Sequence, residues 1–126
     1  MAWTARYLDD IDVVETVCCG YLSAAELCDA ALATLTLGKA KGARRFLGDC
    51  RELRGSCSVV DLYSLAERVT SFQRNGQFRE AMVLPEIEAV ARDVRFWETA
   101  CVNRGLDVRV FATRDGAIEW LLLQPA

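Results

Sequence analysis

Residues 103–123 read NRGLDVRVFATRDGAIEWLLL, and this stretch decides the architecture. Asn103-Arg104-Gly105 is a helix stop, Val108 to Phe111 a short β-prone run, and Ala112 to Thr113 a tight connection. Arg114 to Leu123 then places Ala117, Trp120 and Leu121 on one helical face. Stop, strand, turn and closing helix form the last repeat of an α/β sandwich, because the apolar period changes from 2 to 3.6 across a few turn residues.

Working backwards, Ile87, Val90, Ala91, Val94, Trp97 and Cys101 make an apolar stripe at helical spacing. Before it, Arg79 to Leu84 (REAMVL) has the composition of a buried strand, and Pro85 suits the strand-to-helix turn. Ser58 is placed as the N-cap of a further helix carrying Val59, Leu62, Tyr63, Ala66 and Val69 and stopping by Gly76. Arg45 to Asp49 is read as a strand and Arg51 to Ser58 as a polar loop. Ser23 and Glu26 have capping-box spacing at the start of the first helix, expected to end near Gly38. Two β-prone runs, Trp3 to Leu8 and Val13 to Cys19, flank the polar turn Asp9-Asp10-Ile11-Asp12 and predict an antiparallel entry hairpin. Strand and helix alternate from there on, so the expected fold is α/β: a mixed sheet, mainly parallel after the hairpin, with right-handed crossovers and helices packed on its faces.

Composition sets the outer bounds. At 126 residues, with 52% hydrophobic and 26% charged side chains, the chain suits a single domain spanning 1–126 with one core. A net charge of -3 opposes wholesale nucleic-acid binding, whose affinity comes from neutralising phosphates with Lys and Arg. No apolar run reaches the roughly 18 residues of a membrane span, and MAWTARYLDD lacks a secretory signal pattern, so a cytoplasmic protein is expected. The excess of arginine over lysine and the many alanines hint at a GC-rich bacterial genome. Six cysteines, Cys18, Cys19, Cys28, Cys50, Cys57 and Cys101, contain no C-x-x-C pair, and the chain has no histidine. Zinc-site and thioredoxin-like spacings are therefore missing, neither metal nor cofactor is expected, and the thiols are read as reduced, mostly buried small hydrophobes.

The Gly20-Tyr21-Leu22-Ser23 entry into the first helix, the strand ending at Asp49, the AMV strand and the VRVF…AIEWL ending together resemble the bacterial SpoIIAA-like family, over nearly the whole chain. That family is related to STAS domains and, in fold, to CRAL-TRIO lipid-binding domains. Val108, Val110, Phe111, Ala117, Trp120 and Leu121 are the sharpest points of the likeness. The resemblance implies a mixed sheet with helices, in a family whose members mostly lack an established biochemical activity. In its anti-sigma factor antagonists a serine at the start of the helix after the third strand is phosphorylated to switch partner binding. Ser58 or Ser56 falls in that neighbourhood here, while the antagonists' Asp-Ser-Ser-Gly-Leu-Gly pattern is not in the sequence.

Ligands of open α/β sheets collect at the carboxyl ends of the strands, where loops diverge and helix starts present free N–H donors. Asp49, Arg51, Arg54, Ser56 and Ser58 are accordingly the expected ligand or phosphorylation region, with Thr113 and Arg114 on a neighbouring loop. The competing structural reading is that Ser58 only caps, Asp49 accepts loop hydrogen bonds and the arginines are solvated. No catalytic set is expected: without histidine, Cys50 and Cys57 beside Arg51 and Arg54 are the only thiols with a route to activation. Trp97 and Trp120 are read as core, with a cavity lining as the alternative, and Phe96, off the main stripe, as a subunit-interface residue. The functional expectation is a non-enzymatic regulatory or protein-interaction module, homodimeric, with a protein partner. The alternatives are a carrier of a small apolar or anionic ligand between sheet and helices and, weaker, a thiol-dependent enzyme.

Overall fold

The computed structural model describes residues 2–72 and 78–123. Its elements run β1 (Trp3–Leu8), β2 (Val13–Tyr21), α1 (Ala24–Lys41), β3 (Arg45–Gly55), α2 (Val59–Phe72), β4 (Arg79–Val83), α3 (Glu88–Val102), β5 (Asp107–Phe111) and α4 (Arg114–Leu121). The strands form one five-stranded sheet in the order β1-β2-β3-β4-β5, with β1 antiparallel to β2 and every other pair parallel. The architecture is the mixed α/β sheet expected, entry hairpin included.

Local chemistry accounts for the boundaries. In the β1–β2 turn Asp12 takes a left-handed conformation (φ 57°), which Asp tolerates better than most residues, and its Oδ1 accepts the Tyr7 hydroxyl at 2.7 Å. At the start of α1 Ser23 Oγ accepts the Glu26 N–H at 3.1 Å while Glu26 Oε1 accepts the Ser23 N–H at 2.9 Å, the reciprocal capping box. The α2 start is capped by Ser58 Oγ accepting the Asp61 N–H, and the α4 start by Thr113 Oγ1 accepting the Gly116 N–H.

Three boundaries differ from expectation. Helix α1 passes Gly38 and ends at Lys41, with Gly42 in the left-handed conformation (φ 66°) as its stop. Gly38 instead makes room for packing: a Cβ there would lie 2.6 Å from the Phe46 ring. Strand β3 continues through the segment read as a polar loop, because β2 also runs on and pairs with it at Cys19↔Glu52, Gly20↔Leu53 and Tyr21↔Gly55 across two irregularities in register. Helix α4 ends at Leu121, with Leu122 as its C-cap. The expected α2 stop at Gly76 lies outside the described residues.

Alternation along the strands sorts the core into two layers. Val13, Leu47, Ala81 and Val83 face α4, where they pack with Ala117, Trp120 and Leu121. Val14 and Phe46 face the other way with Leu35 of α1 and Val69 of α2, and Val108 packs with Ala66 of α2 and Ala100 and Cys101 of α3. Leu47, Val83 and Leu121 have at most 1% of their surface exposed, and burying each such side chain contributes about 1.5–3 kcal/mol. Phe96, read above as a subunit-interface residue, is half-buried against the Ala66, Ala100 and Cys101 cluster.

Candidate functional site

The second half of β3 and its connection to α2 carry the expected site residues, but the sheet divides them. Asp49 lies on the α4 side, only 6% exposed, and forms a two-pronged ion pair with Arg51: Nε to Oδ1 at 3.0 Å and Nη2 to Oδ2 at 2.7 Å. The Arg51 backbone N–H also donates to Asp49 Oδ1 at 3.1 Å. Arg51 hydrogen bonding holds the Asp49 carboxyl below its ordinary range, against the opposing pull of burial. On the same face Glu15, 2% exposed, has Oε1 receiving Arg6 (Nε 3.0 Å, Nη2 2.8 Å) and Oε2 receiving Arg114 Nε at 2.9 Å.

Ser56 lines the space on the opposite side of the sheet, Ser58 is exposed at the α2 start and Arg54 is exposed. Thus Asp49 and Arg51 are brought together, Arg114 joins their face through Glu15, and Ser56 is not gathered with them. Thr113 is the α4 cap.

The opposite side of the sheet holds a cavity, the setting given above as the alternative for Trp97, together with Glu80, which was not among the expected site residues. Between β2, β3 and β4 and the helices α1, α2 and α3 lies this cavity, of about 120 Å³. Its wall is mainly apolar, including Leu27, Leu35, Leu62 and Val69, with Trp97 and Glu80 among its polar groups. Trp97 Nε1 donates to Glu80 Oε1 at 2.9 Å, and burial pushes the Glu80 carboxyl above its ordinary range against that hydrogen bond. Thr34 Oγ1 donates to the Ala30 carbonyl, which leaves Thr16 as the donor in the Thr16–Thr34 hydroxyl contact. Trp97 therefore lines the cavity, while Trp120 belongs to the core on the other face. A signal for Glu80 existed: period 2 puts it with Met82 on one side of a strand otherwise fit for burial.

All six cysteines are free. Cys18 is buried and Cys19 exposed, as adjacent strand positions require. A hydrogen bond with Cys18 and burial together push the Cys50 thiol up, and burial also pushes up Cys57 and Cys101. For Cys50 and Cys57 that is the direction opposite to thiolate activation. Among the described residues no group of three or more acidic or cysteine side chains is gathered to hold a metal ion, and no helix is long and apolar enough to cross a membrane.

The arrangement of hairpin and parallel βα units, with α1, α2 and α3 on one face and α4 on the other, has relatives in fold among solved structures. The anti-sigma factor antagonist SpoIIAA in its unphosphorylated form superposes with a TM-score of 0.59 at 12% identity, covering 94% of this chain and 96% of that one. This chain has the SpoIIAA-like fold. A second structure, an uncharacterized DUF3478-family protein with a SpoIIAA-like fold from Shewanella loihica PV-4, matches with a TM-score of 0.59 at 19% identity, covering 95% and 92% of the two chains. No family model and no curated protein sequence matches the chain.

Proposed function

We propose that this chain is a non-enzymatic, cytoplasmic regulatory or protein-interaction module of the STAS-related type, homodimeric, and that its contact surface lies around the start of α2. The observation that carries this reading is a set of exposed apolar side chains there. Val60 is 73% exposed, and Val59 and Tyr63 share the first turns of α2 with it. Tyr21, 77% exposed, lays its ring over the Gly55 backbone three residues before Ser58. Large apolar side chains held in water at one place are characteristic of a contact surface. Isologous contact between two α2 faces is the simplest way to cover them.

The SpoIIAA likeness adds the idea of a switch in this region. Ser58 is the better acceptor of a phosphate than Ser56, since its hydroxyl is exposed at a helix start whose free N–H groups favour an anion. Arg51 and Arg54 stand on the strand that leads into this turn. Light scattering and native mass spectrometry at micromolar concentration test the reading: wild type is expected at twice 14.0 kDa and Val60→Asp at 14.0 kDa. A wild-type mass of 14.0 kDa at every concentration removes the dimer, and a Val60→Asp variant that stays dimeric removes this surface.

A further inference from the structure

The cavity under α1, α2 and α3 has a composition that selects its occupant. Among the described residues its lining includes two carboxyl groups, Glu80 and Asp93, and no lysine or arginine. An anion brought there would meet like charge beside largely apolar walls, so the anionic ligand considered from the sequence does not fit. A cation would shed its hydration among leucines, at a cost of several kcal/mol even for a paired ion. What remains is an uncharged molecule with an apolar body.

Glu80 adds a directional element. Glu80 is half-buried and is one of the residues that line the cavity. One oxygen is engaged by the Trp97 N–H. Among the described residues no donor reaches the other, Oε2. Oε2 is not sealed away, since every fully buried side-chain oxygen among the described residues has a partner; it is open to a donor that enters the cavity, and a hydrogen bond to a carboxyl group there adds to affinity.

The size of the space is comparable to the roughly 150 Å³ apolar cavity that takes up benzene, with about 120 Å³ available here. Small side chains on α1, Ala30 and Ala31, hold the helix wall back from the sheet, and Gly48 lets Met82 lie flat across the floor: a Cβ on Gly48 would stand 2.6 Å from the Met82 sulfur.

We infer that this cavity binds a compact, uncharged, largely apolar molecule of single-ring size that carries one hydrogen-bond donor, the donor placed on Glu80 Oε2 and the ring among the leucines. The site is separate from the α2 surface proposed above and stands whether or not the chain dimerises.

Four probes of nearly equal size test it by calorimetry and by thermal melting, since a ligand of the folded state raises its melting temperature: phenol, toluene, benzylamine and benzoate. Phenol should bind about ten-fold more tightly than toluene, which corresponds to about 1.4 kcal/mol, near the upper range of one neutral hydrogen bond. Benzylamine and benzoate should bind more weakly than phenol. Glu80→Leu should erase the preference for phenol over toluene while toluene still binds, and Ala31→Phe, which fills the space, should weaken both. The proposal is overturned if phenol and toluene bind wild type equally, if either charged probe binds best, or if no probe binds. The wild-type series alone decides the matter should a variant fail to fold.

Discussion

Arg114 Nε meets Glu15 Oε2 at 2.9 Å, joining residues 99 positions apart and tying the first turn of α4 to the second strand. Glu15 is almost fully buried, and its other oxygen is held by Arg6 from the neighbouring strand. A charge so placed is tolerated only while its partners remain, because the desolvation already incurred is offset by their hydrogen bonds.

Replacing Arg114 by Ala should therefore cost about 1–3 kcal/mol: less than removal of the sole partner of a buried ion, since Arg6 stays and Arg114 is partly solvated. Urea denaturation of wild type, Arg114→Ala, Glu15→Gln and the double variant gives the coupling energy directly. A coupling below about 0.3 kcal/mol would show that the contact holds nothing together.

Trp120 is 8% exposed, packs on Phe111 at a centroid distance of 5.6 Å and has the guanidinium groups of Arg79 and Arg109 at 5.0 and 5.1 Å from its ring centre. Trp120→Ala should lose about 3–5 kcal/mol, the range for emptying a large aromatic site. A loss under about 1 kcal/mol in denaturant melts would mean that Trp120 is not a core residue.

Two carboxyl groups should shape the acid limb in opposite directions. Asp49 has its folded pKa lowered by Arg51, so it stabilises the fold above its unfolded pKa of about 3.9, and this contribution is lost as pH falls through the lower folded value. Glu80 has its folded pKa raised by burial, so its contribution is complete below about 4.3 and is lost as pH rises through the higher folded value. Relative to wild type, Asp49→Asn should lose most stability near neutral pH, with the difference shrinking towards about pH 3. Glu80→Gln should compare more favourably at neutral pH than at about pH 4. Melting temperatures across roughly pH 3–8 check both, and parallel curves for either variant would contradict the corresponding shift.

The thiols should titrate in two groups. Cys19 is exposed and should react with a thiol reagent in the native state, whereas Cys18, Cys50 and Cys101 are buried and should react only on unfolding. Denaturation without reductant should recover all six. A consistent shortfall of two would show a disulfide.

Elements whose pattern is local are legible in the sequence. The Ser23–Glu26 box, the stripe from Val90 to Cys101 and the VRVF strand with its closing helix each carry their signal within a few turns of chain. Their order is enough for a mixed sheet with an antiparallel entry. Gly38 and the Arg51–Gly55 segment mislead for one shared reason: their conformation answers to a partner elsewhere, the Phe46 ring in one case and the extended end of β2 in the other.

The succession of strands and helices, and the residues that alternate inward along them, follow from the chain alone, because propensity, capping and period act over a few residues. Which inward face each residue joins, and what it meets there, is settled by long-range packing. Strand parity puts Asp49 on the α4 side, where Arg51 joins it, and Glu80 on the other, where α3 brings Trp97 and the chain after β3 brings Ser56 to the same cavity. That separation depends on contacts between residues far apart in the chain, whose sequence spacing carries no record of which side of the sheet they share.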